Sequence, residues 1–270
     1  MDNQAILTRV ERDGVVWLVK NDPERSNAMS LAMAEALAAE LDDMADARAL
    51  VIDASGQGFH SSAVLVSELC PDPSRLTEQD FARISAIGRN LGDKLASLPI
   101  PVIGIARAGA LGGGLELLMR CDLLFCHDKA RFKLPEAAFG FVAAWGGTQY
   151  GARQMPFRQA QEFLLLGEAI DGCRAAEIGL VTRSFANDGE IDRHVEATLR
   201  RLRRISATAF RCTKNALWAG WHKTLSEGLD FEAVCQAEAL RCGDYVAGMA
   251  AAAAHREFDY VAGCQVDKPQ

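Results

Sequence analysis

The chain is organised around residues 103–149, which read IGIARAGALGGGLELLMRCDLLFCHDKARFKLPEAAFGFVAAWGGTQ. Three consecutive glycines, Gly112 to Gly114, follow an apolar strand-like run and precede a helix-like segment, Leu115 to Arg120. Glycine allows positive φ and a close approach of the backbone to a ligand. A helix start adds unpaired N–H groups, so we predict that this turn binds a developing negative charge.

Two glutamates flank this turn in the sequence. Glu116 lies in the first turn of the predicted helix, and Glu136 follows Pro135 in an apolar segment. Nearby helix N–H groups favour ionised Glu116, whereas desolvation favours protonated Glu136. Such a difference suits an acid and base pair near neutral pH. The alternative is that both residues only stabilise the starts of solvated helices.

Four blocks resemble the enoyl-CoA hydratase/isomerase family, or crotonase superfamily, in its order and spacing: ALGGGLELLMRCDL, RFKLPEAAFGF, WGGTQ and LLLGEAIDGCRAAEIGLV. Weaker matches extend the likeness from about Asn21 to about Arg256. The resemblance implies an α/β fold, a crotonase-like spiral of repeated ββα units with a C-terminal helical oligomerisation region. It places the spiral core in residues 1–188 and the trimerisation region in residues 189–270.

The resemblance also implies an enoyl-CoA hydratase site that binds an acyl-CoA thioester. The N–H groups of Ala63 and Gly113 would hold the thioester oxygen, each donor being worth about 2.7–4 kcal/mol. Glu116 would activate water and Glu136 would protonate the α-carbon. These two roles could be shared or exchanged, because coupled carboxylates titrate as a pair.

Coenzyme A is part of the substrate in this interpretation, and no separate cofactor or metal is expected. The family's Asn-x-Pro-x-x-x-Asn-Ala loop matches residues 21–28, which implies contacts with coenzyme A from Arg25 and Ala28. The Ser61 backbone would lie near the adenine. Arg25 is equally consistent with a solvated loop arginine.

Several positions depart from the family pattern. Ser62 stands where a glycine is usual and Val64 where an aspartate is usual. If Ser62 had positive φ, strain of about 1–3 kcal/mol would follow. The family's Gly-x-x-Pro-Gly-x-Gly-Gly pattern loses its proline and one glycine at residues 140–147 and gains Trp145, either as part of the pocket floor or as a core aromatic.

These departures keep other functions open. One is a different acyl-CoA reaction, namely double-bond isomerisation, decarboxylation or thioester hydrolysis. Another is an acyl-CoA-binding or RNA-binding relative with little catalysis. A serine nucleophile beside His60 is a further alternative, although adjacent residues of an extended segment point to opposite faces and no Gly-x-Ser-x-Gly motif occurs.

Composition indicates a globular protein of 270 residues with 49% hydrophobic residues and a net charge of −7. The negative charge argues against nucleic acid as a partner. No apolar run reaches membrane-spanning length and the N-terminus has no signal-peptide core, so we expect no membrane partner and a cytoplasmic location. The eight cysteines form no Cys-x-x-Cys pair, which suggests packed, reduced thiols. The family resemblance predicts a homotrimer or a dimer of trimers.

Local patterns also predict secondary structure. Asp13-Gly14 indicates a hairpin, and Ser30 and Thr77 are helix-capping candidates. Residues after 188 are predicted to be helical. These helices cover Ile191 to Arg204, Ala207 to Gly220, Leu225 to Cys242 and Tyr245 to Glu257.

Overall fold

The chain forms two units, the first ending at Ile191 and the second beginning at Asp192. The computed structural model describes residues 5–62 and 64–267. No helix within these ranges is both long and apolar enough to cross a membrane.

Strands of the first unit form two sheets. They are β1 (Leu7–Arg12), β2 (Val15–Lys20), β3 (Ala49–Ala54), β4 (Phe59–His60), β5 (Val102–Ala106), β6 (Gly109–Leu111), β7 (Leu123–His127), β8 (Arg131–Lys133), β9 (Ile170–Asp171) and β10 (Arg183–Phe185). The helices are α1 (Leu31–Asp42), α2 (Val64–Leu69), α3 (Glu78–Ser97), α4 (Gly113–Leu118), α5 (Gly147–Gln154), α6 (Phe157–Leu166) and α7 (Gly172–Glu177). Short 3-10 helices cover Pro23–Arg25, Pro73–Arg75 and Glu136–Phe139.

From β3 to β8 the chain alternates between the two sheets. The larger has the order β1-β2-β3-β5-β7-β10 and the smaller the order β4-β6-β8-β9. Strands β3, β5 and β7 pair in parallel in the larger sheet, while β4, β6 and β8 pair in parallel in the smaller one. The chain therefore adds one strand to each sheet in every turn, and helices connect the turns.

Local sequence signals determine where several elements begin. The Ser30 hydroxyl accepts the Met33 N–H at 3.1 Å and caps α1, as predicted. Thr77 and Asp80 form a reciprocal capping box at the start of α3. Asp13 has a φ of 53°, in the left-handed region that the predicted hairpin turn between β1 and β2 needs.

The second unit is largely helical. Helix α8 (Asp188–Leu202) runs into it and is followed by α9 (Ala207–Gly220), α10 (Leu225–Cys242), α11 (Asp244–Ala253), β11 (Glu257–Asp259) and β12 (Cys264–Val266). The predicted helix from Tyr245 to Glu257 is wrong at its end. Glu257 pairs with Val266 in an antiparallel hairpin, and Arg201 binds the Glu257 carboxylate at 2.6 Å. These non-local contacts stop the helix before residue 257.

Side-chain exposure differs among the cysteines and apolar residues. All eight cysteines are free thiols, of which Cys121, Cys126, Cys212 and Cys235 are buried. Large apolar side chains stay exposed on the second unit, including Leu225 and Leu229. Within residues 5–62 and 64–267, no three His, Cys, Asp or Glu side chains are grouped to hold a metal ion.

Candidate active site

The triple glycine forms the turn between β6 and α4. Gly112 has a φ of 56°, a conformation that favours glycine. A Cβ atom on Gly113 would lie 2.5 Å from the Trp145 ring, and one on Gly114 would lie 2.5 Å from the His60 carbonyl oxygen. Only glycine lets the surrounding groups approach this turn so closely.

Glu116 follows in the first turn of α4 and is 3% exposed. Its Oε1 atom accepts N–H groups from Trp145 at 2.9 Å and from Gly147 at 2.7 Å. Burial nevertheless raises the pKa of Glu116 to about 7, and the charge of Glu136 acts in the same direction. The prediction that Glu116 favours the ionised form is therefore wrong, because desolvation outweighs the two N–H donors.

Glu136 begins the 3-10 helix Glu136–Phe139, directly after Pro135. Burial raises the pKa of its carboxyl, as its apolar sequence setting predicts. Its Oε2 atom is buried and has no hydrogen-bond partner within the described part of the chain. Its Oε1 atom would lie 3.0 Å from a Cβ atom on Gly112, the residue that precedes the helix carrying Glu116, so the structure places both predicted carboxyls at the glycine turn.

Ser62 joins this group through its side chain. The Gly113 N–H donates to Ser62 Oγ at 2.7 Å. A Cβ atom on Gly112 would lie 2.9 Å from Ser62 Oγ and 3.0 Å from Glu136 Oε1, so both oxygens face the same point of the turn. Ser62 is not among the described non-glycine residues with positive φ, and the strain considered for it is absent. Ala63, the other predicted oxyanion donor, lies outside the described residues.

The Trp145 side chain packs against the glycine turn. It is 5% exposed, and its indole N–H donates to the Ile84 carbonyl at 3.0 Å. A Cβ atom on Gly88 of α3 would lie 1.9 Å from the indole, so the ring packs directly on that glycine and on Gly113. Trp145 is thus a core aromatic whose backbone N–H also holds Glu116.

Asn27 fixes the loop that the sequence relates to coenzyme A. Its amide nitrogen donates to the carbonyl oxygens of Ser55 and Phe59, both at 3.1 Å. Its amide oxygen accepts the Asp22 N–H at 2.8 Å. The first two bonds join the loop to residues that follow β3, and the third holds the loop together internally.

The predicted coenzyme A contacts lie on and beside this loop. Arg25 is half exposed, and its guanidinium binds Asp22 at 2.8 Å. Ala28 is buried, as is Ser61, whose carbonyl accepts the Met29 N–H at 2.9 Å. The roles of Arg25, Ala28 and Ser61 toward coenzyme A stay predictions.

His60 and Lys20 are buried behind this loop. The His60 Nε2 atom donates to the Ile105 carbonyl at 2.8 Å, so His60 is engaged there rather than with a serine. Lys20 is 1% exposed and donates to the Asn27 carbonyl at 3.1 Å. Burial lowers the pKa of Lys20 to about 7. Sequence reasoning missed this lysine, although its alternation with the buried Val16 and Leu18 on β2 places it inward.

A model of the family described as enoyl-CoA hydratase/isomerase matches residues 11–262. The chain belongs to the enoyl-CoA hydratase/isomerase family. It is 33% identical over 250 residues to the probable enoyl-CoA hydratase echA8 of Mycobacterium bovis, covering 91% of this chain and 93% of that protein. It is 29% identical over 257 residues to a probable enoyl-CoA hydratase of Rhizobium meliloti, covering 93% and 96%.

Solved structures confirm the fold of this family member. An enoyl-CoA hydratase/isomerase from Marinobacter aquaeolei superimposes with a TM-score of 0.84 at 23% identity, covering 95% of this chain and 99% of that one. An enoyl-CoA hydratase from Bacillus anthracis gives a TM-score of 0.81 at 23% identity, covering 92% and 95%. The predicted crotonase-like α/β architecture with a helical C-terminal region is therefore confirmed.

Proposed function

We propose that this family member is an enoyl-CoA hydratase, which adds water across the double bond of a 2-enoyl-CoA thioester. The observation that carries the proposal is the pair of carboxyls at the glycine turn, the buried Glu116 of its helix and the half-buried Glu136, whose Oε1 atom faces Gly112. Acyl-CoA binding follows from the family, and the choice of reaction rests on the presence of both carboxyls.

Glu116 is the group suited to activate water. Its pKa of about 7 lets it take a proton near neutral pH and give it back. The N–H groups of Trp145 and Gly147 fix one of its oxygens, so the other is the one that can face a water molecule. The oxygen of that water then bonds to the β-carbon of the enoyl group.

Glu136 is the group suited to complete the addition. Its raised pKa keeps a proton available, and its Oε2 atom has no partner in the described part of the chain. That proton passes to the α-carbon while the Gly113 N–H, with the predicted Ala63 N–H, holds the thioester oxygen as negative charge develops on it. The reaction uses no cofactor besides the coenzyme A of the substrate.

The proposal also covers the oligomeric state of the protein. Exposed apolar side chains on the second unit, such as Leu225 and Leu229, are typical of surfaces that bind another protein. We propose that they contact further copies of this chain in a homotrimer or a dimer of trimers. The cytoplasmic location and the absence of a nucleic-acid partner stay predictions.

Turnover of 2-enoyl-CoA thioesters of several chain lengths tests the reaction. We expect loss of the conjugated enoyl absorbance and a product heavier by one water, with rates reduced about 10²- to 10⁴-fold in Glu116→Gln and Glu136→Gln. A product of unchanged mass would indicate an isomerase, and free coenzyme A thiol a thioester hydrolase. Binding without any product would refute a catalytic function.

A further inference from the structure

The hydroxyl oxygen of Ser62 accepts the backbone N–H of Gly113, which is the predicted oxyanion donor. The Gly113 N–H points at Ser62 Oγ with a donor–acceptor distance of 2.7 Å. An oxyanion donor must lie 2.7–3.1 Å from the oxygen on which charge develops. The hydroxyl oxygen therefore stands where the thioester oxygen of the proposed substrate has to sit, and the two cannot occupy the site together.

The hydroxyl can leave this place without moving the backbone. Ser62 is not in the left-handed region, and rotation about its Cα–Cβ bond offers two other staggered positions. Such a rotation carries Oγ only about 2.3 Å from where it was. A thioester oxygen that accepts the Gly113 N–H a few tenths of an ångström farther from the serine then lies about 2.5–3.0 Å from the displaced hydroxyl, within hydrogen-bond reach.

We propose that Ser62 is a third oxyanion donor. In the free protein its oxygen accepts the Gly113 N–H. In the complex the thioester oxygen takes over that N–H, and the rotated Ser62 hydroxyl donates its own hydrogen to the same oxygen. This inference rests on the proposed acyl-CoA function and adds a side-chain donor to a site otherwise built from backbone.

The direction of the hydroxyl hydrogen follows from charge. A hydroxyl can both accept and donate, so it changes role once the Gly113 N–H has another acceptor. The thioester oxygen gains negative charge as the reaction proceeds, and a hydrogen bond to an ionised acceptor is about twice as strong as one to a neutral acceptor. The donor therefore acts mainly on the transition state and affects kcat more than KM.

Glu136 is the competing acceptor for this hydrogen. Its Oε1 atom lies beside Ser62 Oγ at the Gly112 turn. A protonated Glu136, as the proposed proton donor to the α-carbon, offers a weaker acceptor than the developing enolate oxygen. The hydrogen of Ser62 therefore goes to the thioester.

Ser62→Ala removes the hydroxyl and keeps the Cβ atom, and Ser62→Thr retains a hydroxyl. Ser67→Ala is the matched control, because Ser67 lies on α2, is exposed and bonds only the nearby Val64 carbonyl in the described contacts. We expect kcat of Ser62→Ala to fall about 10- to 100-fold with KM unchanged or lower. Ser67→Ala should stay within about threefold of the native rate, whereas Ser62→Thr, which keeps a hydroxyl donor, should lose less of kcat than Ser62→Ala.

A second measurement does not depend on turnover. The probe is butyryl-CoA, a saturated thioester with no double bond to hydrate. Its carbonyl stretching frequency in the complex, recorded by difference infrared spectroscopy, falls as hydrogen-bond donors polarise the carbonyl. We expect the frequency to be higher in Ser62→Ala than in the native protein and unchanged in Ser67→Ala. Binding of the thioester by each variant also reports that it is folded.

Three results would overturn the inference. Native kcat in Ser62→Ala, or a higher one, would show that the hydroxyl only obstructs the site. A lower kcat with an unchanged carbonyl frequency and a displaced pH profile would show that Ser62 acts through Glu136. A native protein that binds no acyl-CoA would refute the proposed function itself, which separates that failure from the first two.

Discussion

Replacing Glu116 by glutamine should make the protein more stable at alkaline pH. Burial raises the pKa of Glu116 from 4.5 in the unfolded chain to about 7 in the folded protein. The folded state therefore binds this proton more tightly, and the native protein loses stability as the pH rises from about 4.5 through about 7. At about 1.36 kcal/mol per pKa unit, the loss at pH 8 is about 3 kcal/mol.

Glutamine keeps an oxygen that can accept the N–H groups of Trp145 and Gly147 but carries no charge to bury. Urea unfolding of Glu116→Gln should give a free energy of unfolding about 3 kcal/mol above native at pH 8 and less than about 1 kcal/mol above native at pH 5. Glu162→Gln, at an exposed position, is the matched control and should show no such dependence. A difference that is the same at both pH values would refute the assignment of a raised pKa to Glu116.

Three further predictions concern packing and assembly. Lys20→Met should raise the free energy of unfolding by a few kcal/mol at pH 6 and by less at pH 10. Burial lowers the pKa of this amine from 10.5 to about 7, and its charged form destabilises the fold below that value. Gly88→Ala should destabilise the protein by about 1–3 kcal/mol in urea unfolding, since its Cβ atom would overlap the Trp145 ring. Combining it with Trp145→Leu should recover part of the lost free energy of unfolding. Leu225→Asp with Leu229→Asp should reduce the particle mass measured by light scattering to that of a monomer, if these exposed side chains form the proposed contact between copies.

Each of these has an outcome that contradicts it. A constant effect of Lys20→Met across pH would mean that the amine is not titrating in the fold. Native stability of Gly88→Ala would show that the indole is free to move away from α3. An unchanged mass of the double aspartate variant would place the contact between copies elsewhere.

Elements set by local chemistry could be predicted closely from the sequence. Helix α10 has the predicted bounds, Leu225–Cys242, because Thr224 caps its start and Gly243 adopts the left-handed conformation at its end. Helix α11 ends at Ala253, earlier than predicted. Alanine favours helix locally, but the pairing of Glu257 with Val266 depends on the following hairpin.

Within the site, too, features set by neighbouring residues could be predicted, whereas features set by distant contacts could not. Residues 112–114 and the desolvated Glu136 could be predicted from their own neighbours in the sequence. The acid strength of Glu116 could not, since it depends on how completely the fold buries the carboxyl and on N–H groups about thirty residues away. The contact of Ser62 with Gly113 joins residues fifty-one positions apart, and no local pattern encodes it.

The central claim is that Glu116 and Glu136 add water to an enoyl thioester held at Gly113. Its most direct test is the reaction of crotonyl-CoA in D2O, followed by mass spectrometry and NMR of the product. We predict a β-hydroxyl product with one deuterium on the α-carbon from the native protein, and almost none from Glu136→Gln. A product without the hydroxyl, or deuterium delivery at the native rate by Glu136→Gln, would contradict the claim.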